Sequence, residues 1–518
     1  MPRMTVALAD PGMGTLHRAG LAGLWMTLHA ADAELASTRP GGAAVTLQEA
    51  GSWSLAPTAV TVIWEGDGKA FFKALFAYAY PVDHDVGLLH FRALGDPMAS
   101  PADAFATHHA MLMTFVQHPK SRNAETGAST GSLAITTDGE TDVLRLRRAT
   151  SHAFATAPYD PAKPGTVAGW LVPGGAVRHS ALGDTSQLSE PPGAMLALRF
   201  APIGCIFNLV RNKSRADSSR IETSIVIPDV TDLVEYASVR QHLRIGTRIA
   251  DVYVAGAATA AMRLLLEDAA VVTARRTRTR ACDVVTYGNV AWSKQQRTRV
   301  GVLHVGPQPI EAIRVFDAIR RHLPSRRVAP APTADNAEPG TWYAVPQVPE
   351  FAAANLVADR PWWRGFATLL ADATRRTEVL RWEKKGLNAM VNDPGLMAPD
   401  DPATAFVRAC HEAWRRRMGQ LGERARSQSL DFFSLVDREY DRLRVAFSRC
   451  KTQAEFRRTV TDFWARGGAQ PELRDHWTAI LPFISHPRRW EEGRDLALLA
   501  LASYARPATE PSPEGTDE

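Results

Sequence analysis

Residues Ser325–Gly340 read SRRVAPAPTADNAEPG, and this stretch separates two kinds of sequence. Proline and alanine dominate it and large apolar side chains are scarce, which is the composition of a linker rather than of a packed element. Before it the pattern is mixed. Helical spacing runs through Leu16–Leu35 and Lys69–Ala79, while β-branched or alternating runs at Ala59–Trp64, Leu133–Thr137, Val143–Leu146, Met195–Phe200, Cys205–Val210, Ser224–Ile227 and Val300–Val305 predict strands. After it the chain turns helical. Between Asp431 and Arg449 the residues Phe433, Val436, Tyr440, Leu443 and Phe447 recur three and four apart, which predicts one buried stripe, with Arg438, Arg442, Arg444 and Arg449 on the far side. The preceding segment repeats the design, with Phe406, Cys410, Trp414, Met418 and Leu421 inside and Arg408, Arg415, Arg416 and Arg417 nearby. Stripes of this kind are buried by a bundle of about four or five helices. The expected fold class is therefore α+β over 1–324, a Pro/Ala-rich linker over 325–340, an α-helical bundle over 341–505, and a Pro-rich, acidic, disordered tail over 506–518.

The chain has 518 residues, 45% hydrophobic and 22% charged, enough for two or three domains with their own cores. Its formal charge is +5, and the 60 Lys and Arg residues lean toward Arg and toward clusters. A planar guanidinium with five donors suits phosphate and base edges, so clustered Arg favours a nucleic-acid partner. An Arg-for-Lys bias across a whole genome gives the same composition, and composition alone leaves both readings open. The four cysteines, Cys205, Cys282, Cys410 and Cys450, form no C-x-x-C pair, which argues against a zinc knuckle or a disulfide framework and for a reduced cytoplasmic setting. Neither a signal peptide nor a membrane-spanning stretch is expected.

Catalytic patterns are present only as fragments. Gly127–Gly131 (GASTG) fits G-x-S-x-G, but a nucleophile elbow needs a strand before it and a helix after it, and here a strand-like run follows. His84 and Asp85 make a His-Asp pair of the sort that binds metal, yet a turn after Pro81 explains them more simply. His108, His109 and His118 form no H-x-x-x-H pair and read as solvated or core-edge residues. Gly12, Gly14 and Gly68 complete neither a dinucleotide fingerprint nor a phosphate loop. No metal or organic cofactor is expected, and a chain of this length without an acid/base constellation binds more readily than it reacts.

Two segments carry binding chemistry. Arg211, Asn212, Lys213 and Arg215 (RNKSR) follow an apolar run, where cations can meet phosphate and the amide can reach a base edge. Arg275, Arg276, Arg278 and Arg280 precede Tyr287, Asn289 and Trp292, then Lys294, Gln295, Gln296, Arg297 and Arg299. Cations interleaved with aromatic and amide groups suit nucleic acid, because guanidinium neutralises phosphate while rings stack on bases. Tyr287 and Trp292 also fit a core. In the helical half, Arg415 and Arg416 are the cations placed to meet a strand.

Three stretches carry a family resemblance: DPGMGTLHRAGLAGLWMTLHA (Asp10–Ala30), RNKSRA with the downstream VIPDVTDLVEYASVR (Val226–Arg240), and VVTYGNVAWSKQQRTRV (Val284–Val300). Together they resemble the large subunit of a type I CRISPR surveillance complex, Cascade, in its Myxan-type branch. The resemblance implies a non-catalytic protein with an N-terminal α+β domain and a C-terminal bundle. It implies as partners crRNA, double-stranded target DNA with its PAM, the Cascade backbone subunits and a helicase-nuclease. Guide pairing would then supply most of the specificity while the protein reads the PAM. It also implies that small subunits can arise from the large subunit's own C-terminal region, for which an internal start at Met397 or Met390 precedes Asp400-Asp401-Pro402, a helix-opening signature. The rival readings are a stand-alone DNA-binding regulator and a metal-dependent nuclease built on His84 and Asp85.

Overall fold

The computed structural model describes residues 1–37, 42–117, 130–137, 139–172, 188–211, 222–272, 278–292, 295–328, 342–372, 375–376, 379–468 and 470–505. Of residues 137, 140, 272, 288–292, 295–300 and 342 it describes the backbone alone. The chain forms two units, Met1–Ile313 with Ser325–Val345, and Arg314–Pro324 with Pro346–Glu518. The N-terminal half mixes strands and helices and the C-terminal half is helical.

The first unit opens with β1 (Arg3–Ala7), α1 (Thr15–Leu35), α2 (Gly42–Ala50), β2 (Gly51–Leu55), β3 (Ala59–Trp64) and α3 (Lys69–Ala79). The three strands form an antiparallel sheet in the order β1-β3-β2. In β3 every second residue, Val60, Val62 and Trp64, is buried, as a strand with one covered face requires. α4 (Pro101–Met113) packs with the hairpin β4 (Thr130–Thr137) and β5 (Glu140–Arg147), joining Phe105 to Leu133, Ile135, Leu144 and Leu146 in one cluster.

Residues Met195–Phe200, which alternate like a strand, lie instead in α5 (Pro192–Gly204). Leu196–Gly204 are all buried, so the helix has no polar face from which a 3.6-residue period could be read. Arg199 is tolerated there because its Nε donates to the Phe154 carbonyl at 3.0 Å and its Nη2 to the Ala157 carbonyl at 2.6 Å. α1 and α5 cross backbone against backbone. A Cβ on Gly20 would collide with the Ala197 carbonyl, and one on Gly204 with the Ala19 carbonyl, so only glycine allows the approach.

The second half of the unit adds β6 (Ile206–Val210), β7 (Glu222–Pro228), α6 (Leu233–Gly246), β8 (Tyr253–Val254), α7 (Ala257–Val272), β9 (Cys282–Trp292) and β10 (Gln295–Val305). The sheet order is β8-β6-β7-β9-β10, with β8 parallel to β6 and the rest antiparallel. β6 is an interior strand and is buried throughout. Arg326–Val328 (β11) and Trp342–Ala344 (β12), inside or beside the linker expected at 325–340, pair with each other. Asp142 of β5 accepts from Arg327 Nε at 2.9 Å and Tyr343 Oη at 2.7 Å, which ties this short ladder to the first unit. A Pro/Ala-rich composition carries no mark of such a ladder at its ends, and residues 329–341 lie outside the described residues.

The second unit comprises the later part of α8 (Ile310–His322), then α9 (Val348–Val357), α10 (Phe366–Ala371), α11 (Lys384–Asn392), α12 (Pro402–Gln428), α13 (Phe432–Arg449), α14 (Gln453–Gly467) and α15 (Trp490–Ser503), with short helical turns between α14 and α15. Helix starts are written in the sequence: Asp401 accepts from Ala403 N with Pro402 in the first turn, Asp431 accepts from Ser434 N, and Thr452 with Glu455 forms a capping box. Phe406, Phe447, Phe456, Phe463, Trp464, Phe483 and the Leu496–Ala502 run of α15 form the core. Among the described residues, no helix is long and apolar enough to cross a membrane.

Candidate nucleic-acid interface

Arg211 directly follows β6, where its N–H donates to the Val254 carbonyl at 2.8 Å and its guanidinium lies 5.0 Å from the Tyr253 ring centroid. Burial holds its pKa below the usual arginine value. It is therefore fixed to the sheet edge, while Asn212, Lys213 and Arg215 lie outside the described residues, as do Arg275, Arg276 and Lys294.

Arg278 and Arg280 part company. Arg278 is exposed and donates to the Pro307 carbonyl through Nη2 at 2.8 Å. Arg280 is a core residue: its Nε meets Asp268 at 2.6 Å, its Nη2 meets Glu235 at 3.2 Å, and its guanidinium lies over the Tyr236 ring. That burial corrects its expected place on a nucleic-acid surface. Two buried or half-buried carboxylates must be neutralised where α6, α7 and β9 meet, and Arg280 does it.

The remaining candidates of the segment lie on β9 and β10, whose ladder runs from Cys282 opposite Val305 to Trp292 opposite Gln295. β7 pairs with β9 only over Cys282–Tyr287, so among the described residues the rungs beyond Tyr287 belong to a two-stranded arm. Asn289 stands opposite Thr298, Ala291 opposite Gln296, Val290 opposite Arg297 and Gly288 opposite Arg299. By the two-residue period of a strand, Arg297 and Arg299 share a register face with Gln295 and Trp292. Tyr287, by contrast, is buried in the sheet.

In the bundle, Arg415 and Arg416 are exposed on α12 and both lean on the buried Glu412, at 4.0 and 3.1 Å. Arg417 reaches Glu439 of α13 at 2.9 Å, and Arg442 binds the same carboxylate. Part of the cationic face read from sequence is thus spent on neighbouring carboxylates.

The His84 and Asp85 carbonyls both accept from Arg148 Nη2 at 2.7 Å, and the Asp83 carboxylate closes the turn by accepting from Asp85 N and Val86 N. Thr130 and Gly131 open β4, and residues 127–129 lie outside the described residues. His108, expected to be solvated or at the core edge, is fully buried, accepting from Leu89 N at 2.9 Å through Nδ1 and facing the Arg147 carbonyl at 2.7 Å through Nε2. Burial pushes it down to about 4, so it is a neutral structural imidazole. Among the described residues no cluster of His, Cys, Asp or Glu could hold a metal ion. One feature has no strong sequence signal: a cavity lined by Trp25 of α1 and by His90 and Arg92, which are remote from it in the sequence.

Comparison with known proteins gives these units a context. The DevT N-terminal domain matches residues 5–199 and the DevT C-terminal domain matches residues 399–518. The CRISPR-associated protein Cas8a1/Csx13 of Myxococcus xanthus (strain DK1622) is 29% identical over 97% of this chain and 88% of its own length. An α+β half followed by a helical half, carrying these two domains in this order, defines the large subunit of a type I CRISPR Cascade complex. The chain belongs to the DevT family, the Myxan-type branch of those subunits. Neither domain match reaches residues 200–398, where most of the cationic candidates lie.

Proposed function

We propose that this protein is a non-catalytic subunit that holds PAM-proximal DNA and the crRNA handle, steadies the opened R-loop, and helps recruit the helicase-nuclease of antiviral defence in the cytoplasm. The observation that carries the reading is the two-stranded arm of β9 and β10, which sets Arg297 and Arg299 on one register face beyond the last rung shared with β7. Cations on such an arm position phosphates. Amides at Asn212 and Asn289 are the candidates for reading a base edge. On the bundle, Arg415 and Arg416 escort the displaced strand.

Replacing Lys294, Arg297 and Arg299 together by Ala in the assembled complex tests it. Each lost phosphate contact lowers the steepness of log affinity against log salt by roughly 0.9 for duplex DNA, so the expected result is weaker binding and a flatter slope. Repeating the titration with Asn289→Ala across PAM variants separates reading from positioning: a reader loses roughly 1–3 kcal/mol on the preferred PAM alone. An unchanged affinity and slope in the folded triple variant overturns the assignment.

A further inference from the structure

A cavity of about 900 Å3 opens in the first unit between α1, the short helical turn Arg92–Leu94 and the exposed face of α6. Three polar groups around it lack a hydrogen-bond partner although they are buried: the indole Nε1 of Trp25, Nδ1 of His90 and Nε of Arg92. Trp25 itself is only 7% exposed. His29, which is exposed, stacks on the Trp25 ring with centroids 4.8 Å apart and planes 24° apart, so it covers one face of that ring and leaves its own outer face toward solvent. Arg92 lies 5.6 Å from the Tyr78 ring centroid.

Buried N–H groups are almost always paired, so unpartnered ones gathered around one cavity point to an acceptor supplied by something else. An apolar partner helix would cover the opening and leave them unpaired. A bare anion is disfavoured because the Glu34 and Asp96 carboxylates share the lining with Arg92. What remains is a flat, neutral group that stacks and carries acceptors on its rim. We propose that this cavity receives one unstacked nucleobase from a single-stranded segment, its ring on the exposed face of His29 and its acceptors toward the N–H groups of Trp25 and Arg92. The inference rests on the proposed function, since it takes the ligand to be nucleic acid, and the strand is either the guide RNA or opened target DNA.

Ser238 is an exposed residue of α6 at the cavity wall, so Ser238→Trp fills the space without removing a core side chain; His29→Ala trims the aromatic surface from the solvent side. The complex is assembled with each variant and titrated with an abasic site walked through the guide RNA and, separately, through each DNA strand. The expected result is a single position whose missing base weakens wild-type binding roughly tenfold, the scale of one stacked base. Both variants should show the same loss with intact strands and no further loss at that position. Its location in RNA or DNA names the source. If the complexes bind target normally but no position couples to Ser238→Trp, the cavity holds no base and the proposed function stands. Loss of a neighbouring subunit from the Ser238→Trp complex would make the surface a protein interface and overturn the proposal. A wild-type complex that binds no target would sink both.

Discussion

Arg278 and Arg280 are separated by one residue and look alike in the sequence, yet one is solvated and the other sits between Asp268 and Glu235. Those partners are 12 and 45 residues away, a distance over which local pattern carries no information, and so Arg280 reads as a surface cation. Arg280→Ala should cost about 3–5 kcal/mol because it strands a buried carboxylate, whereas Arg278→Ala should stay within about 0.5 kcal/mol. Urea unfolding of the two variants checks the contrast. Glu439 offers a pH test. Hydrogen bonds from Arg442 and then Arg417 hold its carboxyl down to about 2, against an ordinary value of 4.5. A depressed folded-state pKa means the stabilisation is complete above about pH 4.5 and fades as pH falls toward 2. Glu439→Gln should therefore be less stable than wild type at neutral pH, with the gap closing in acid, as urea midpoints across a pH series would reveal.

Helices are legible when one face is wet. Lys69–Ala79 reads as a helix and is one, while Met195–Phe200 reads as a strand because α5 is buried on every side. The α13 stripe is legible in part. Leu443 and Phe447 are buried as the spacing predicts, but Phe433 is 73% exposed because α13 meets its neighbours mainly through its second half. Phe447→Ala should cost about 3–5 kcal/mol, while Phe433→Ser should change stability by less than about 0.5 kcal/mol. Thermal melts of both variants decide it, and equal losses would mean that the first turn of α13 is packed in solution. The site was legible to the same degree. Composition marks the β9 and β10 segment as cationic, but only the register shows which cations share a face.

On the scale of the whole chain, the start of the DevT C-terminal match at residue 399 lies just past Met397, the position offered for an internal start. Asp401 does cap α12. Yet a fragment beginning at Met397 would lack Gly365 and Ala367, whose N–H groups donate to the buried Asp495 carboxylate at 2.7 and 3.1 Å. It should melt lower than a fragment beginning at Pro346, and mass spectrometry of the native complex shows whether the shorter protein is made at all. The β9 and β10 ladder has a different consequence at this scale. From Tyr287, the last rung shared with β7, to Trp292 it advances about 17 Å, half a turn of B-form duplex. Such a ladder can change length only in coarse steps. Two residues added to each strand carry Arg297 and Arg299 about 7 Å farther with their facing kept, whereas one added to each turns both to the opposite side. The hairpin is in that sense a ruler with two-residue divisions, able to match a new spacing of target contacts while the five-stranded sheet beneath it stays as it is.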